Sequence, residues 1–510
     1  MGVKGWSPVK RTLSEHRWSP SLGLLVALTF LLSTSLLQQP LALASETPLG
    51  EILQLAREHG LRGSELSFSV VFPDGQFIEH RADVAIPPAS CMKLLTAAAV
   101  LDNLGPDFSL DTDLVVTGSL EGGTLDGDII VIGRGDPAIS GREFENDPVA
   151  ELRPWVGRLK ALGIRVVRGQ LLADNRYLQG STRVPDWPRD QLHRWYCAPS
   201  GALNLNDNCF DIVVKPGESG SISVDLRPSN ALAHLEGTIF PTQLRREHLY
   251  RIDRAPNSWT VKVSGRFLTT ASERVEWVTV PDPTRAFLGV FHKMLEDSGI
   301  TIEGTKRDAP RLQEGRLVGR IEHSVASRLP VFLKRSQNLY GDCLMRVLGR
   351  ESGGDGSFPS GAAALVSHAA DFLGEVEGLV VRDGSGLSSL NRLRAGDLTR
   401  LLIGWKKRPW FDLLDEALPL AGVDGTLEKR FRNTPLAGRL RAKTGHINGV
   451  STLAGSWRTA RGMVFFSLFF HGTPSSTPRA RGWQERTLLH LDTLLGGPPG
   501  PAGSLPKPVG

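Results

Sequence analysis

The 510-residue chain is poor in several features that mark broad protein classes. It has only four cysteines; no C-x-x-C spacing or clustered histidine accompanies them, which argues against a zinc site. It carries no dense Lys/Arg stripe. The formal charge is +5, but Lys4, Lys10, Arg11 and Arg17 against Glu15 place three of those charges in the first 44 residues, leaving +2 for the rest. That is not the footprint of a nucleic-acid partner. Beyond the N-terminal run, no segment is long and apolar enough to cross a membrane. An apolar content of 40% with 22% charged residues excludes disordered and fibrous classes and leaves a folded globular protein.

What is present begins with a leader. A basic segment precedes "LGLLVALTFLLSTSLL" (Leu22 to Leu37), and Ala42 and Ala44 then stand as in an A-x-A cleavage site. Residues 1–44 therefore read as an export signal. The run is shorter than the ~20 residues of a full span, and cleavage and retention as an anchor both stay open. Either way the body is exported, to the periplasm or cell envelope, with loose membrane association left open. Cys197 and Cys209 bracket a short segment and are candidates for a disulfide loop. Cys91 and Cys343 lie within helical apolar patterns, where a free cysteine behaves as a small hydrophobe.

"EILQLAREHGL" is an amphipathic helix, and "LSFSVVFPDGQFIEHRA" a hairpin turning at Pro73-Asp74-Gly75. A helix follows from Ser90. From about Asp111 the texture becomes β, with strands separated by Gly, Asn and Pro turns. Helical patterning returns at "TRAFLGVFHKMLEDSGI", and the chain ends on two strands, a helix from "WQERTLLHLDTLLG" and a tail too rich in Pro and Gly to fold. The expected organisation is one catalytic domain formed by 45–110 and 305–495, an inserted mainly β region over 111–304 built as two nested domains, and a disordered tail over 496–510. The first segment alone cannot make a core, and needs the C-terminal strands and final helix to close around it.

Three short motifs carry the chemistry. In "PPASCMKLLTAAAV", Ser90 and Lys93 are one helical turn apart on one face. A serine hydroxyl is a weak nucleophile until something takes its proton, and an amine one turn away does so if desolvation lowers its pKa. In isolation the simpler reading is Ser90 as a helix N-cap. Ser336 and Asn338, after Lys334-Arg335 and at the start of "NLYGDCLMRVLG", suit a helix-opening turn that points both into a cleft; a cap is again the alternative. Lys443-Thr444-Gly445 ends the strand "GRLRAKTG", where the lysine and hydroxyl suit a substrate carboxylate and the glycine lets a substrate backbone approach the strand edge. S-x-x-K, S-x-N and K-T-G in this order resemble the three-part signature, with S-D-N in the middle, of penicillin-binding proteins and class A β-lactamases.

Further segments narrow the resemblance. "GRGDPAIS" (Gly133 to Ser140), "YCAPSGALNLNDNCFDIVVKPG" (Tyr196 to Gly217), "VRDGSGLSSLNRL", "LPLAGVDGTL" and "AKTGHINGVSTLAG" resemble blocks of the D-alanyl-D-alanine carboxypeptidase/endopeptidases, the low-molecular-mass class C penicillin-binding proteins. The similarity runs from about residue 50 to 470. It implies an α+β fold: a penicillin-binding/β-lactamase-like transpeptidase domain, with an antiparallel sheet, flanking helices and a helical subdomain, interrupted by the β insert. It implies that Ser90 attacks the penultimate D-Ala carbonyl while Lys93 takes its proton. By the same resemblance, Ser336 relays a proton to the leaving amine and Asn338 holds the substrate amide. Lys443 and Thr444 hold the terminal carboxylate, and the backbone N–H groups of Ser90 and His446, after Gly445, form the oxyanion hole. No cofactor or metal is implied; the partners are peptidoglycan stem peptides, with β-lactams as covalent inhibitors.

One departure matters. Many family members carry Arg directly after G-L-S, where this chain has Ser389, with Arg392 three residues on. The segment Gln179 to Asp190, with Asp186, is a candidate wall of the pocket in which that Arg would contact the stem-peptide side chain. Asp383-Gly384-Ser385-Gly386 lacks the spacing of a nucleophile elbow and reads as a turn, and Asp136 reads as a turn former. Two other functions remain as alternatives. A silent peptidoglycan-binding protein is disfavoured by the intact motifs, and a β-lactamase by the long insert.

Overall fold

A computed structural model describes residues 47–141, 147–230, 232–304, 307–308 and 315–497. The leader over 1–44 and the tail from 498 lie outside the described residues. The chain divides into a unit ending at Glu51 and one beginning at Ile52, and all that follows concerns the second.

Its centre is a five-stranded antiparallel sheet. The strand order is Phe77–His80, Leu66–Val71, Gly462–His471, Val450–Thr459, Leu440–Ile447, so the N-terminal hairpin and the C-terminal strands form one sheet. Leu66 to Val71 pairs with Phe470 to Phe465 without a break. The sequence explains why this sheet is central. Met463 to Phe470 are all buried, so the strand is covered on both faces and reads as a continuous apolar run instead of alternating. Burying each large side chain of that run contributes ~1.5–3 kcal/mol. The helices Thr477–Leu494 and Ala395–Trp405 pack on the sheet. Trp483 of the final helix is fully buried and donates to the Ile52 carbonyl, closing the last element on the first. That helix starts six residues earlier than its apolar pattern suggested, at Thr477.

The second layer is helical. Met92–Asn103 is buried from Met92 through Leu101, the signature of a helix enclosed on all sides. It packs against Asn338–Glu351 and Phe358–Leu373. The α+β class expected from the sequence is the observed one.

Between the two halves lie two further hydrophobic cores. One is built on the sheet Arg307–Asp308, Leu171–Asp174, Ile129–Gly133, Ser109–Val116, Arg316–Ser324, with Trp155, Phe287 and Phe291 beneath it. The other gathers Phe210, Val261 and Phe267 from two three-stranded sheets over 209–279. The boundary expected at 304 is therefore misplaced. Arg316–Ser324 pairs along Ser109–Val116, so the chain leaves the insert only after Ser324. Cys197 and Cys209 form no disulfide; all four cysteines are free and buried. Cys197 is packed in the main core, and asparagine side chains close the segment instead. Asn208 donates to the Pro199 carbonyl (2.7 Å) and to Asn204 Oδ1 (2.6 Å).

Asp136 does more than form a turn. Its Oδ1 accepts from Ala138 N–H (2.9 Å), and its Oδ2 lies 2.8 Å from His323 Nδ1. His323 Nε2 meets Glu151 at 2.9 Å. Burial opposes charging of this imidazole, but the two carboxylates outweigh it and raise its pKa to about 9. A pKa raised above the unfolded 6.5 stabilises the fold fully below pH 6.5 and loses that effect through pH 9. The melting temperature of His323→Gln should accordingly fall furthest below wild type under pH 6.5, with the gap closing as pH passes 9 in scanning calorimetry.

Candidate active site

Pro87-Pro88 stops the preceding strand, and Ala89–Cys91 forms a 3₁₀ turn leading into Met92–Asn103. Ala89 sits at φ +45. The turn is tied to the edge of the main sheet: Thr452 Oγ1 donates to the Pro88 carbonyl (2.7 Å) and the Cys91 thiol to the Lys443 carbonyl (3.3 Å). Ser90 does not cap the helix, since no side-chain cap is made there. Its hydroxyl instead accepts from Lys93 Nζ at 3.0 Å.

Lys93 is fully buried. Its Nζ also donates to Asn338 Oδ1 (2.6 Å) and to the Ser385 carbonyl (2.5 Å). Burial holds its pKa well below the usual lysine value, and the nearby Lys443 cation pushes the same way. Asp342 and Asp383 oppose that shift without cancelling it. Asn338 opens its helix without capping it and donates Nδ2 to the Tyr196 carbonyl (2.8 Å), which turns Oδ1 toward Lys93.

A second lysine–serine pair faces the first. Lys443 Nζ donates to Ser336 Oγ (2.9 Å) and to the Thr444 carbonyl (2.8 Å), and burial pushes its pKa down to about 8. Ser336 is held at φ +59. The K-T-G segment lies within the edge strand Leu440–Ile447, which continues beyond Gly445 instead of ending there. Gly445 is required by close approach: a Cβ there would lie 2.1 Å from Thr452 Oγ1 and 2.9 Å from Ser90 N. The backbones of Ser90 and Gly445-His446 thus converge. The His446 ring is exposed, its Nδ1 3.0 Å from the Val450 carbonyl.

These groups line a cleft of about 860 Å³, whose walls include Ser90, Ser336, Asn338, Thr444, Gly445 and Tyr196. Asp186 and Ser389 line it as well. Asp186 accepts from the Ser388 hydroxyl and from Arg382 Nη2 (3.1 Å). Arg392 is not among the lining residues; it donates to the Ser389 and Asn391 carbonyls.

Sequence reading missed the support beneath Lys93. Asp342, one helical turn after Asn338, accepts from Gly384 N–H and Ser385 N–H (both 3.1 Å). Burial, with Asp383 beside it, holds its carboxyl well above the usual range. Asp383 accepts from Gly386 N–H (2.7 Å), Ser388 N–H (2.7 Å) and Trp187 Nε1 (2.8 Å). The Asp383–Gly386 turn thereby presents the Ser385 carbonyl to Lys93.

The family model for D-Ala-D-Ala carboxypeptidase 3 (S13) matches residues 53–488. The chain belongs to the D-Ala-D-Ala carboxypeptidase 3 (S13) family. It is 30% identical over 410 residues to a D-alanyl-D-alanine carboxypeptidase of Actinomadura sp. strain R39, covering 77% of this chain and 74% of that relative. Against the D-alanyl-D-alanine carboxypeptidase DacB of Haemophilus influenzae, identity is 27% over 402 residues, or 75% and 80% of the two chains. The crystal structure of penicillin binding protein 4 (dacB) from Haemophilus influenzae superposes with a TM-score of 0.74 at 24% identity, covering 87% of this chain and 99% of that one. The S13 chain therefore has the penicillin-binding fold that its motifs implied, and it is a hydrolase of the carboxypeptidase class.

The S13 site depends on Gly386 as much as on its polar groups. Its φ is +81, and a Cβ would fall 1.8 Å from the Ala89 carbonyl oxygen, in the turn that carries Ser90. A left-handed φ alone costs a non-glycine residue ~1–2 kcal/mol. Gly75, at φ +87 with nothing within 4 Å of a Cβ, supplies the control. Gly386→Ala should lower the melting temperature by several degrees more than Gly75→Ala in scanning calorimetry.

Proposed function

We propose that this protein is an exported serine DD-peptidase of the periplasm or cell envelope. It hydrolyses the terminal D-Ala-D-Ala bond of peptidoglycan stem peptides, and the D-Ala cross-link bond, through an acyl-enzyme on Ser90. The observation that carries this reading is the 3.0 Å contact between Ser90 Oγ and a buried Lys93 amine. A neutral amine at that distance is a general base in hydrogen-bond reach of the proton it removes.

Lys93 takes the hydroxyl proton as Ser90 Oγ bonds to the carbonyl carbon of the penultimate D-Ala. The developing oxyanion is held by the backbone N–H groups of Ser90 and His446, donors fixed before the reaction. The leaving amine takes the proton of the Ser336 hydroxyl, which lies 2.9 Å from Lys443 Nζ, and Ser336 regains one from the proton that Lys93 took, so Lys93 is neutral again. Lys443 and Thr444 hold the terminal carboxylate, and Asn338 the substrate amide. The C–N bond breaks, the amine leaves, and water then hydrolyses the Ser90 ester, Lys93 taking the water's proton and returning it to Ser90 Oγ as the acid leaves. Carboxypeptidase and endopeptidase reactions differ only in the leaving amine. A β-lactam opens on Ser90 by the same first step, but its amine stays tethered and the ester persists.

Fluorescent penicillin should label the wild-type protein covalently at one site. Ser90→Ala should abolish the label without altering the melting curve. Lys93→Ala should slow acylation by at least about 10³-fold, the loss expected of a general base acting with its nucleophile. Unlabelled, well-folded wild type would contradict the reading, and rapid penicillin turnover would favour a β-lactamase. Mass spectrometry of products from monomeric and cross-linked muropeptides measures the two peptidase activities separately.

A further inference from the structure

Beside the catalytic cleft lies a second cavity of about 400 Å³, within the size range of small-ligand sites (~300–1,000 Å³). The two share a wall, since Trp195, Arg335 and Thr426 line both. The S-x-N motif divides between them. Ser336 and Asn338 line the catalytic cleft, while Gln337 lines the second cavity. No step of the peptidase mechanism uses Gln337, or any other group found only in this cavity.

Two features mark the cavity as a ligand site. The first is aromatic. Trp195 and Trp277 meet edge to face, ring centroids 6.3 Å apart at 90°, and Trp277 remains 41% exposed on the insert strand Arg274–Thr279. A tryptophan so exposed at a cleft rim offers an apolar face for stacking. The second is the backbone that brings Asp207 to the cavity. Asn206, Asp207 and Asn208 all sit at positive φ (51, 56 and 51), three left-handed non-glycine residues in succession. Such conformations persist only where surrounding contacts over-determine them, and they cluster at functional sites. Here Asn206 Nδ2 bonds the Cys209 carbonyl (3.1 Å) and Asp211 Oδ1 (3.2 Å), and Asn208 Oδ1 accepts from Leu205 N–H (3.1 Å).

We propose that this cavity is a sugar subsite that takes one N-acetylated amino-sugar ring of the glycan strand from which the stem peptide hangs. A pyranose ring has an apolar C–H face, which stacks on an indole, and an edge of hydroxyls that exchange hydrogen bonds with carboxylates and amides. The cavity combines both: the Trp195–Trp277 pair, the Asp207 and Glu428 carboxylates, the Gln337 amide and the Lys334 ammonium. The identity of the sugar rests on the peptidoglycan reading above; the existence of the subsite does not. A ring seated there lies against Gln337, between Ser336 and Asn338 in the chain. Glycan-bearing substrates are thereby held with their peptide at the catalytic cleft.

The test uses Trp277→Ala, outside the catalytic machinery, and two substrates: a stem peptide alone and the same peptide on its disaccharide. Wild type should show a kcat/KM roughly tenfold higher for the disaccharide-peptide, the size of effect a lost aromatic contact removes. Trp277→Ala should erase that difference while leaving free-peptide hydrolysis and penicillin acylation within about twofold. Equal wild-type rates on both substrates, or a variant that loses both alike, would overturn the proposal. If wild type cleaves neither substrate, the peptidase reading fails. The subsite is then decided by calorimetric titration with the peptide-free N-acetylglucosamine–N-acetylmuramic acid disaccharide: binding that Trp277→Ala abolishes supports it, and no binding overturns it.

Discussion

The three acceptors around Lys93 Nζ are all neutral: the Ser90 hydroxyl, the Asn338 amide oxygen and the Ser385 carbonyl. An ammonium removed from water is costly unless a counter-charge is in direct contact. Among the described residues Lys93 is hydrogen-bonded but not directly ion-paired, and the second buried cation, Lys443, disfavours its charge further. That arrangement favours the neutral amine, the form a general base on Ser90 requires, and the rest of the site keeps it dry and aimed. Asp342 and Asp383 act mainly on the turn that supplies the Ser385 carbonyl, through four backbone N–H bonds.

Keeping it dry requires parts of the chain far apart in sequence. Ser90 and Lys93 come from the first segment, Asn338 from the helical layer, Ser385 from the Asp383–Gly386 turn, and Lys443 from the edge strand. The pairing of Leu66–Val71 with Phe465–Phe470 joins these pieces into one sheet. The cost of closing the long intervening segment rises only slowly with its length, so an insert with cores of its own fits there. The insert region also builds the cleft: Asp186 and Tyr196 line it, and Trp187 holds Asp383.

The residues legible in the sequence were those whose spacing within one element fixes their geometry. Ser90 and Lys93 share a helical face, and Ser336 and Asn338 a helix opening, so their convergence followed from the motifs. The Ser385 carbonyl was not legible, because a backbone group leaves no residue-type signal and "DGSG" reads as a turn whatever it supports. Asp342 did leave one: an acid one turn after Asn338, set among the apolar Leu339, Cys343 and Leu344. The insert boundary failed for another reason. Arg316–Ser324 finds its partner about 200 residues earlier, and such pairing is set by tertiary structure. The Cys197–Cys209 spacing allowed a disulfide, but spacing does not determine whether two Cβ atoms face each other.

The central claim is that burial makes Lys93 a base at ordinary pH. The most direct measurement is the rate constant for acylation of the wild-type protein by a chromogenic β-lactam, followed from pH 5 to 10.5. A lowered lysine pKa predicts a rate that rises as Lys93 loses its proton and reaches its plateau well below pH 10.5. A rate still climbing about tenfold per pH unit toward 10.5, as for a lysine of ordinary pKa, would contradict the account.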